Sequence, residues 1–219
     1  MNRRPLLIFD LDGTISDPSV GIGRSINYAL AAFGYPEISE HEVARHIGPP
    51  LDEVFRQLAG SAAAETILGM VAKYRERYGE VGYAENAVYA GIPESLEYLA
   101  SRGIRMAVCT SKRADFAERI LAMFALRDYF PIVSGGDVGI RKVDQLRDLL
   151  ERGDAGPDST MVGDRAVDVI AARAQELSSV AVLWGHGSKE ELLGAVPDRI
   201  LESPLELKEL AAAIRGATR

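Results

Sequence analysis

The feature that most constrains the fold is a short apolar run that stops abruptly at an acidic residue. Leu6–Phe9 is continuously apolar, and Asp10 follows it directly. A strand of a parallel sheet has this composition when helices cover both faces of the sheet. The same pattern recurs at residues 106–110 and 160–164. We therefore expect several buried parallel strands with polar side chains where each strand ends.

The order of strand and helix patterns predicts the fold class. Two further apolar runs, at residues 131–133 and 180–184, complete a predicted set of five strands. Residues with helical spacing lie between these strands, for example Phe116, Ile120 and Phe124. Alternation of strand and helix is typical of an α/β fold, so we predict a doubly wound parallel sheet with a Rossmann-like core.

Residues 16–84 break this alternation, because they show helical spacing only and are punctuated by glycine and proline. We expect them to form a helical cap domain inserted after the first strand, with residues 1–15 and 85–219 forming the core. Since the insert leaves the core where the first strand ends, it should lie over the carboxyl edge of the sheet. Open α/β folds bind their ligands at that edge.

Composition narrows the possible partners and location. The chain has 219 residues and 47% hydrophobic residues, enough to bury a substantial interior. A net charge of -7, with scattered lysines and arginines, argues against nucleic-acid binding. No apolar run approaches the roughly 20 residues that span a bilayer, so we expect no membrane insertion. The single cysteine, Cys109, and the lack of a signal-peptide pattern lead us to expect a cytoplasmic protein.

Two carboxylates at the end of the first strand, Asp10 and Asp12, give the strongest chemical signal. They stand at positions i and i+2, and Gly13 permits the chain to turn at low steric cost, so both can face one site. A carboxylate can attack phosphorus when a divalent cation screens the repulsion between the two anions, and a neighbouring acid then protonates the leaving oxygen. Taken alone, these residues fit an ordinary turn after a strand equally well.

Residues 10–14, placed after an apolar strand, resemble the first motif of the haloacid dehalogenase superfamily. Three further segments resemble its other motifs in the expected order: Thr110 with Ser111, then Lys142, then Asp164 with Asp168. The dehalogenases themselves lack a second aspartate in the first motif, because loss of halide needs no protonated oxygen. Asp12 therefore favours phosphoryl chemistry.

The resemblance implies a mechanism and a metal. Asp10 is expected to be the nucleophile that forms an aspartyl phosphate, and Asp12 the acid that protonates the leaving alcohol and then activates water. Mg²⁺ is expected on Asp10, Asp164 and the backbone carbonyl of Asp12. Lys142 should neutralise the transferring phosphoryl group, and Asp168 should position Lys142 or a metal-bound water.

Substrate contacts are expected from both the core and the cap. The predicted phosphate-binding residues are Gly13, Thr14, Thr110 and Ser111, through hydroxyl groups and backbone amides. In the cap, residues 46–50 interrupt the helical pattern, and we predict that this loop, with Gly48, faces the substrate. A plain helix boundary explains these residues nearly as well.

Two departures from the family pattern bear on the site. Val143 follows Lys142 where proline is frequent, so a solvated lysine at a helix start is the alternative interpretation of Lys142. Arg165 follows Asp164 where a small hydroxyl residue is more usual. An extra cation is therefore expected near the site.

The resemblance implies several related activities. Phosphoglycolate phosphatase-like hydrolysis of a small phosphorylated metabolite is the favoured one, with 5'-nucleotidase and pyrophosphatase activities as alternatives. A phosphomutase, which returns the phosphoryl group to its substrate, uses the same chemistry. Outside the enzymes, the alternatives are a non-catalytic binding module on this fold and a receiver domain, although a receiver needs no helical insert. We expect a monomer or a homodimer.

Overall fold

The computed structural model describes residues 5–212, so residues 1–4 and 213–219 at the ends of the predicted core lie outside it. The strands are β1 (Leu6–Phe9), β2 (Ser16–Asp17), β3 (Ala87–Val88), β4 (Arg105–Thr110), β5 (Ile132–Gly135), β6 (Thr160–Gly163), β7 (Ser178–Val182) and β8 (Arg199–Leu201). Six of them form a parallel sheet in the order β5-β4-β1-β6-β7-β8. This architecture confirms the predicted α/β class.

The central position of β1 explains its unbroken apolar sequence. All four of its side chains are completely buried, because β4 and β6 flank it and helices cover both faces. Phe9 pairs with Val108 of β4 and with Val162 of β6. The residues that follow these three strands therefore lie next to one another at the carboxyl edge.

The helices are α1 (Ser19–Ala32), α2 (Glu40–Val43), α3 (Leu51–Ala59), α4 (Ala64–Glu80), α5 (Ile92–Ser101), α6 (Ala114–Met123), α7 (Lys142–Glu151), α8 (Ala166–Ala174) and α9 (Lys189–Ala195). Alternate residues of β1 face opposite sides of the sheet. Leu7 and Phe9 share a core with α5 and α6, whereas Leu6 and Ile8 share one with α7 and α8. The sheet is therefore covered on both faces.

Helices α1 to α4 lie within residues 16–84, which the sequence predicted to be an insert and which we refer to as the inserted segment. They pack mainly on one another, around a cluster that includes Ile26, Phe55 and Tyr74 and also contacts Phe116 of α6. The chain enters the segment through β2 and leaves it through β3, and these two strands pair antiparallel. Entry and exit therefore lie side by side. Among residues 5–212, no helix combines the length and the apolar composition needed to cross a bilayer.

The structure adds strands that the apolar patterns did not predict. The predicted set of five lacks β8, which is a three-residue edge strand beginning at Arg199, and the β2–β3 ribbon. The prediction at residues 180–184 also started and ended two residues late, because β7 is Ser178–Val182 and begins with an exposed serine. A three-residue strand that begins with a charged residue, or a two-residue ribbon, is too short to show an apolar run.

Candidate active site

The carboxylate of Asp10 is fixed where β1 ends. Its backbone N–H donates to the carbonyl of Val162 at 2.9 Å, which continues the pairing with β6 for one residue. Its Oδ1 accepts the N–H of Leu11 at 2.8 Å, and the residue is only 2% exposed. The strand geometry thus holds this carboxylate at the carboxyl edge of the sheet.

A tight turn after Asp10 brings Gly13 and Thr14 against Asp164. The N–H groups of Ile15 and Ser16 both donate to the carbonyl of Leu11, at 2.9 and 3.1 Å. Gly13 has φ +83°, and a Cβ there would lie 2.1 Å from Asp164 Oδ2. The hydroxyl of Thr14 donates to Asp164 Oδ1 at 3.2 Å. Both residues therefore contact the carboxylate of Asp164.

Three buried aspartates form one acidic cluster at this edge. Asp10, Asp164 and Asp168 each offer an oxygen atom, and these atoms lie within 4.8 Å of one another. Burial, with the charges of Asp10 and Asp168, raises the pKa of Asp164 to about 8. Burial raises the pKa of Asp168 to about 6, against the opposing effect of Lys142. Such a cluster is suited to a divalent cation, because hard oxygen donors converge on one point.

Lys142 is the first residue of α7, and its ammonium group lies inside the acidic cluster. Its Nζ is 3.1 Å from Asp10 Oδ1 and also donates to Asp168 Oδ1, and the side chain is 1% exposed. Burial acts to lower the pKa of Lys142, but the two carboxylates outweigh it and raise that pKa above its usual range. The alternative of a solvated lysine is therefore wrong.

Asp12 faces a different cation, Lys112, which the sequence analysis did not single out. Lys112 Nζ lies 3.0 Å from Asp12 Oδ2 and donates to the hydroxyl of Tyr78 in α4. Burial raises the pKa of Asp12 although Lys112 acts to lower it. A raised pKa favours the protonated form that an acid catalyst needs. The position of Lys112, directly after Thr110 and Ser111, was the available signal for it.

A cleft lined by Asp10 and Asp12 opens between the core and the inserted segment. The predicted contacts that line it are Gly48, Thr110 and Ser111. Thr110 ends β4 and is buried, and its hydroxyl accepts the N–H of Lys112 at 3.2 Å. The loop around Gly48 therefore faces the same space as the aspartates. Gly13 and Thr14 lie behind this surface, against Asp164.

The loop after β7 closes the other side of Asp164. The indole N–H of Trp184 donates to the carbonyl of Thr14 at 3.0 Å, and the backbone N–H of His186 donates to Asp164 Oδ2 at 2.8 Å. A Cβ on Gly185 would lie 2.3 Å from Asp164 Cβ, so the close approach requires glycine. This loop fixes the orientation of Asp164.

Arg165 connects the core to the loop of the inserted segment. Its backbone N–H donates to Asp168 Oδ2 at 3.1 Å. Its Nε donates to Glu191 at 2.9 Å, while another guanidinium nitrogen donates to the carbonyl of Ile47, next to Gly48. The expected extra cation is thus at the edge of the site, and its charge is paired with Glu191.

A doubly wound sheet with buried aspartates and a buried lysine at its carboxyl edge defines a class of α/β enzymes that handle phosphoryl groups. The chain belongs to one family in this class, the haloacid dehalogenase-like hydrolases, whose family model matches residues 7–182. The match runs from β1 to the end of β7, so it includes both the aspartates and Lys142.

Proteins similar to this chain carry several activity names. A 5'-nucleotidase of Pseudomonas aeruginosa is 39% identical over 89% of this chain and 90% of its own length. A tyrosine-protein kinase, PtkA of Mycobacterium tuberculosis, is 36% identical over 95% and 72%. A phosphoglycolate phosphatase of Vibrio parahaemolyticus is 31% identical over 94% and 96%. The crystal structure of a predicted phosphatase from Clostridium acetobutylicum is 33% identical, with a TM-score of 0.88 over 97% and 99% of the two chains.

Proposed function

We propose that this protein is a Mg²⁺-dependent phosphatase that hydrolyses a small phosphate monoester through an aspartyl phosphate on Asp10. The observation that carries the proposal is the position of Asp10, which belongs to the acidic cluster, lines the cleft and has the ammonium of Lys142 at 3.1 Å. A nucleophilic carboxylate needs such positive charge beside it to approach a phosphate dianion. The family membership and the phosphatase-named relatives support the same activity.

The donor set fits Mg²⁺. Asp10, Asp164 and Asp168 supply carboxylate oxygens, and burial together with the charges of Asp10 and Asp168 raises the pKa of Asp164, an effect that a bound cation would oppose. Mg²⁺ prefers oxygen ligands and usually binds through one or two carboxylates. We propose Asp10 and Asp164 as side-chain ligands, with the backbone carbonyl of Asp12, and Asp168 as the residue that orients Lys142. When bound, the cation neutralises charge on the phosphoryl oxygens.

The protein's own residues then perform two steps. In the first, a carboxylate oxygen of Asp10 attacks phosphorus, the bond to the leaving oxygen breaks, and Asp12 gives that oxygen its proton. In the second, Asp12 takes a proton from water, the resulting hydroxide attacks phosphorus, and inorganic phosphate leaves with Asp10 restored. Lys142 remains beside Asp10 and stabilises the charge that develops on the phosphoryl group. The Thr110 hydroxyl and the amide of Ser111 bind phosphoryl oxygens, whereas the predicted contacts Gly13 and Thr14 instead support Asp164, because the Gly13 N–H donates to the carbonyl of Ser16 at 2.8 Å and the Thr14 hydroxyl to Asp164.

We further propose that residues 16–84 act as a cap. They supply one wall of the cleft, including Gly48 and Tyr74, and the β2–β3 ribbon is their connection to the core. Closure of such a segment excludes water and brings groups for specificity over the leaving group. Residues 1–15 and 85–219 then form the catalytic core.

The substrate class is a small phosphorylated metabolite, and phosphoglycolate phosphatase-like activity is our first candidate. The 5'-nucleotidase relative supports a nucleotide as the second candidate. The cleft is lined by cationic groups such as Arg75 and Lys112 together with the aromatic ring of Tyr74, so its surface combines positive charge with apolar area. We propose a cytoplasmic location, because a single cysteine can form no internal disulfide; this cysteine, Cys109, is buried, and burial raises the pKa of its thiol to about 12, so it takes no part in the proposed chemistry.

Release of inorganic phosphate from p-nitrophenyl phosphate tests the proposal. Asp10→Asn should abolish turnover, because the amide is not a nucleophile, while the fold persists. Asp158→Asn is the matched control, since Asp158 is exposed in the turn before β6 and should leave turnover unchanged. Retained turnover in folded Asp10→Asn, or full wild-type activity in excess chelator, contradicts the mechanism.

A panel of phosphate esters then separates the candidate activities by kcat/KM. Phosphate release distinguishes a phosphatase from a phosphomutase, which only relocates the group. Incubation with ATP and tyrosine-containing peptides examines the activity named for PtkA. Transfer to tyrosine without release of phosphate from any monoester would replace our proposal.

A further inference from the structure

Hydrogen bonds hold the backbone of Lys112 at both its N–H and its carbonyl group. Its N–H donates to the hydroxyl of Thr110 at 3.2 Å, and its carbonyl accepts the N–H of Gly136 at 2.9 Å. These contacts tie the loop after β4 to the loop after β5. The side chain of Lys112 therefore starts from a defined point at the carboxyl edge.

The ammonium of Lys112 lies between the core and the inserted segment. Its Nζ is 3.0 Å from Asp12 Oδ2, donates to the hydroxyl of Tyr78 and lies 4.5 Å from the centre of the Tyr78 ring. The Lys112 side chain is 6% exposed. An ammonium over an aromatic face is stabilised most when water is excluded. Because Tyr78 belongs to α4, the contact between Lys112 and Tyr78 depends on the position of α4 relative to the core.

Tyr78 is itself held firmly. Its ring stacks on Tyr74 at 5.2 Å and meets Phe116 of α6 edge-on at 5.2 Å. Burial raises the pKa of Tyr78 well above its ordinary value, so its hydroxyl keeps its proton and accepts from Lys112 through a lone pair. The position of the Tyr78 hydroxyl thus reports where α4 lies relative to α6.

Asp12 depends on Lys112 for its orientation. Its Oδ1 is buried without a hydrogen-bond partner among the described residues, whereas its Oδ2 contacts Lys112. The contact with Lys112 therefore restrains the carboxyl group at one oxygen, and its removal takes that restraint away. An acid catalyst must lie within hydrogen-bond reach of the leaving oxygen, so its orientation limits the rate.

From these contacts we infer that Lys112 is a positioning residue. It couples the position of residues 16–84 relative to the core to the orientation of the Asp12 carboxyl group. The inference rests on the proposed phosphatase mechanism. When α4 is in the position observed here, the Tyr78 hydroxyl contacts the Lys112 ammonium, and that ammonium orients the Asp12 carboxyl group towards the cleft. When α4 moves away, the ammonium loses the hydroxyl and the ring, and Asp12 is less well placed to protonate a leaving alcohol.

The test uses Lys112→Met, Tyr78→Phe and the double variant with two substrates that differ in leaving group. One is p-nitrophenyl phosphate, whose phenolate leaves without a proton, and the other is an alkyl phosphate that the wild type hydrolyses. Release of the leaving group in single turnovers isolates the step in which Asp12 acts as an acid. Lys112→Met should slow the alkyl ester by roughly 10-fold or more, which is part of the about 10²–10⁴-fold that general acid catalysis contributes. The aryl ester should slow much less.

Tyr78→Phe should slow the alkyl ester in the same direction by a smaller factor, because only one hydroxyl is removed. The double variant should be no slower than Lys112→Met, since Tyr78 acts through Lys112. Tyr28→Phe and Lys73→Met are matched controls, because both residues contact Glu76 on the outer surface of the inserted segment. They should leave both rates unchanged.

Three results would overturn the coupling: equal slowing of both esters, an additive loss in the double variant, or no effect of Tyr78→Phe. Equal slowing indicates that Lys112 binds the phosphoryl group directly. If Lys112→Met does not fold, Tyr78→Phe decides the question alone. Failure of the proposed function is a separate outcome, recognised by a wild type that releases no phosphate or by an active Asp10→Asn.

Discussion

Replacing Lys142 with methionine measures how far one ammonium stabilises the acidic cluster. Its Nζ contacts Asp10 and Asp168, and all three side chains are at most 3% exposed. Removing one partner of a buried ion pair costs about 3–5 kcal/mol, because the remaining charges lose their compensation. In a chain of this size each kcal/mol lowers the melting temperature by roughly 2–4 °C, so Lys142→Met should unfold roughly 6–20 °C below the wild type.

Thermal unfolding in the presence of a chelator gives this difference directly. Methionine preserves the length of the apolar stem, so the change mainly removes charge. Lys73→Met is the control, because Lys73 pairs with Glu76 on the surface and should shift the melting temperature little. Added Mg²⁺ should raise the melting temperature of Lys142→Met more than that of the wild type, since the cation restores positive charge among the same carboxylates. An unchanged melting temperature in chelator would refute this reasoning.

Three further predictions concern the same edge of the sheet and its support. Because burial raises the pKa of Asp164 to about 8, the metal-free protein loses stability as pH rises towards that value, and the increase in melting temperature produced by Mg²⁺ should grow with pH over this window. Gly185→Ala places a Cβ 2.3 Å from both Asp164 Cβ and the Gly13 carbonyl, so phosphate release should require more Mg²⁺. Ser159→Ala removes an acceptor for the N–H of Leu6 at 3.0 Å and should lower the free energy of unfolding in urea by about 1–3 kcal/mol, without changing Mg²⁺ affinity.

The strands nearest the site were predictable because burial on both faces imposes an unbroken apolar sequence. Leu6–Phe9 and Thr160–Gly163 have the bounds that their composition indicated. Arg199–Leu201 was missed because it has only three residues and the first of them is charged, so it shows no apolar run, unlike Ile132–Gly135 at the opposite edge. The β2–β3 ribbon was missed because two residues are too few to show any period.

The residues of the candidate site likewise fall into those that the sequence predicted and those that it did not. Asp10, Lys142 and Asp164 stand at strand or helix ends, and the parallel register brings such ends together at one edge. Lys112 lies inside a loop, where no periodicity indicates which way a side chain points. Tyr78 has helical spacing that is typical of a core residue, and its ring is indeed packed in a core, but its hydroxyl contacts Lys112. Contacts between distant segments such as these require the tertiary structure.

The pairing of Ser16–Asp17 with Ala87–Val88 has an evolutionary consequence. Neighbouring strands lie about 4.8 Å apart, so the two ends of the intervening segment are separated by little more than the length of one residue. A lineage could lengthen, shorten or exchange that segment without stretching the polypeptide that carries the aspartates. Because we propose that this segment sets the specificity, preference for one phosphate ester over another could diverge among descendants that keep the same catalytic residues.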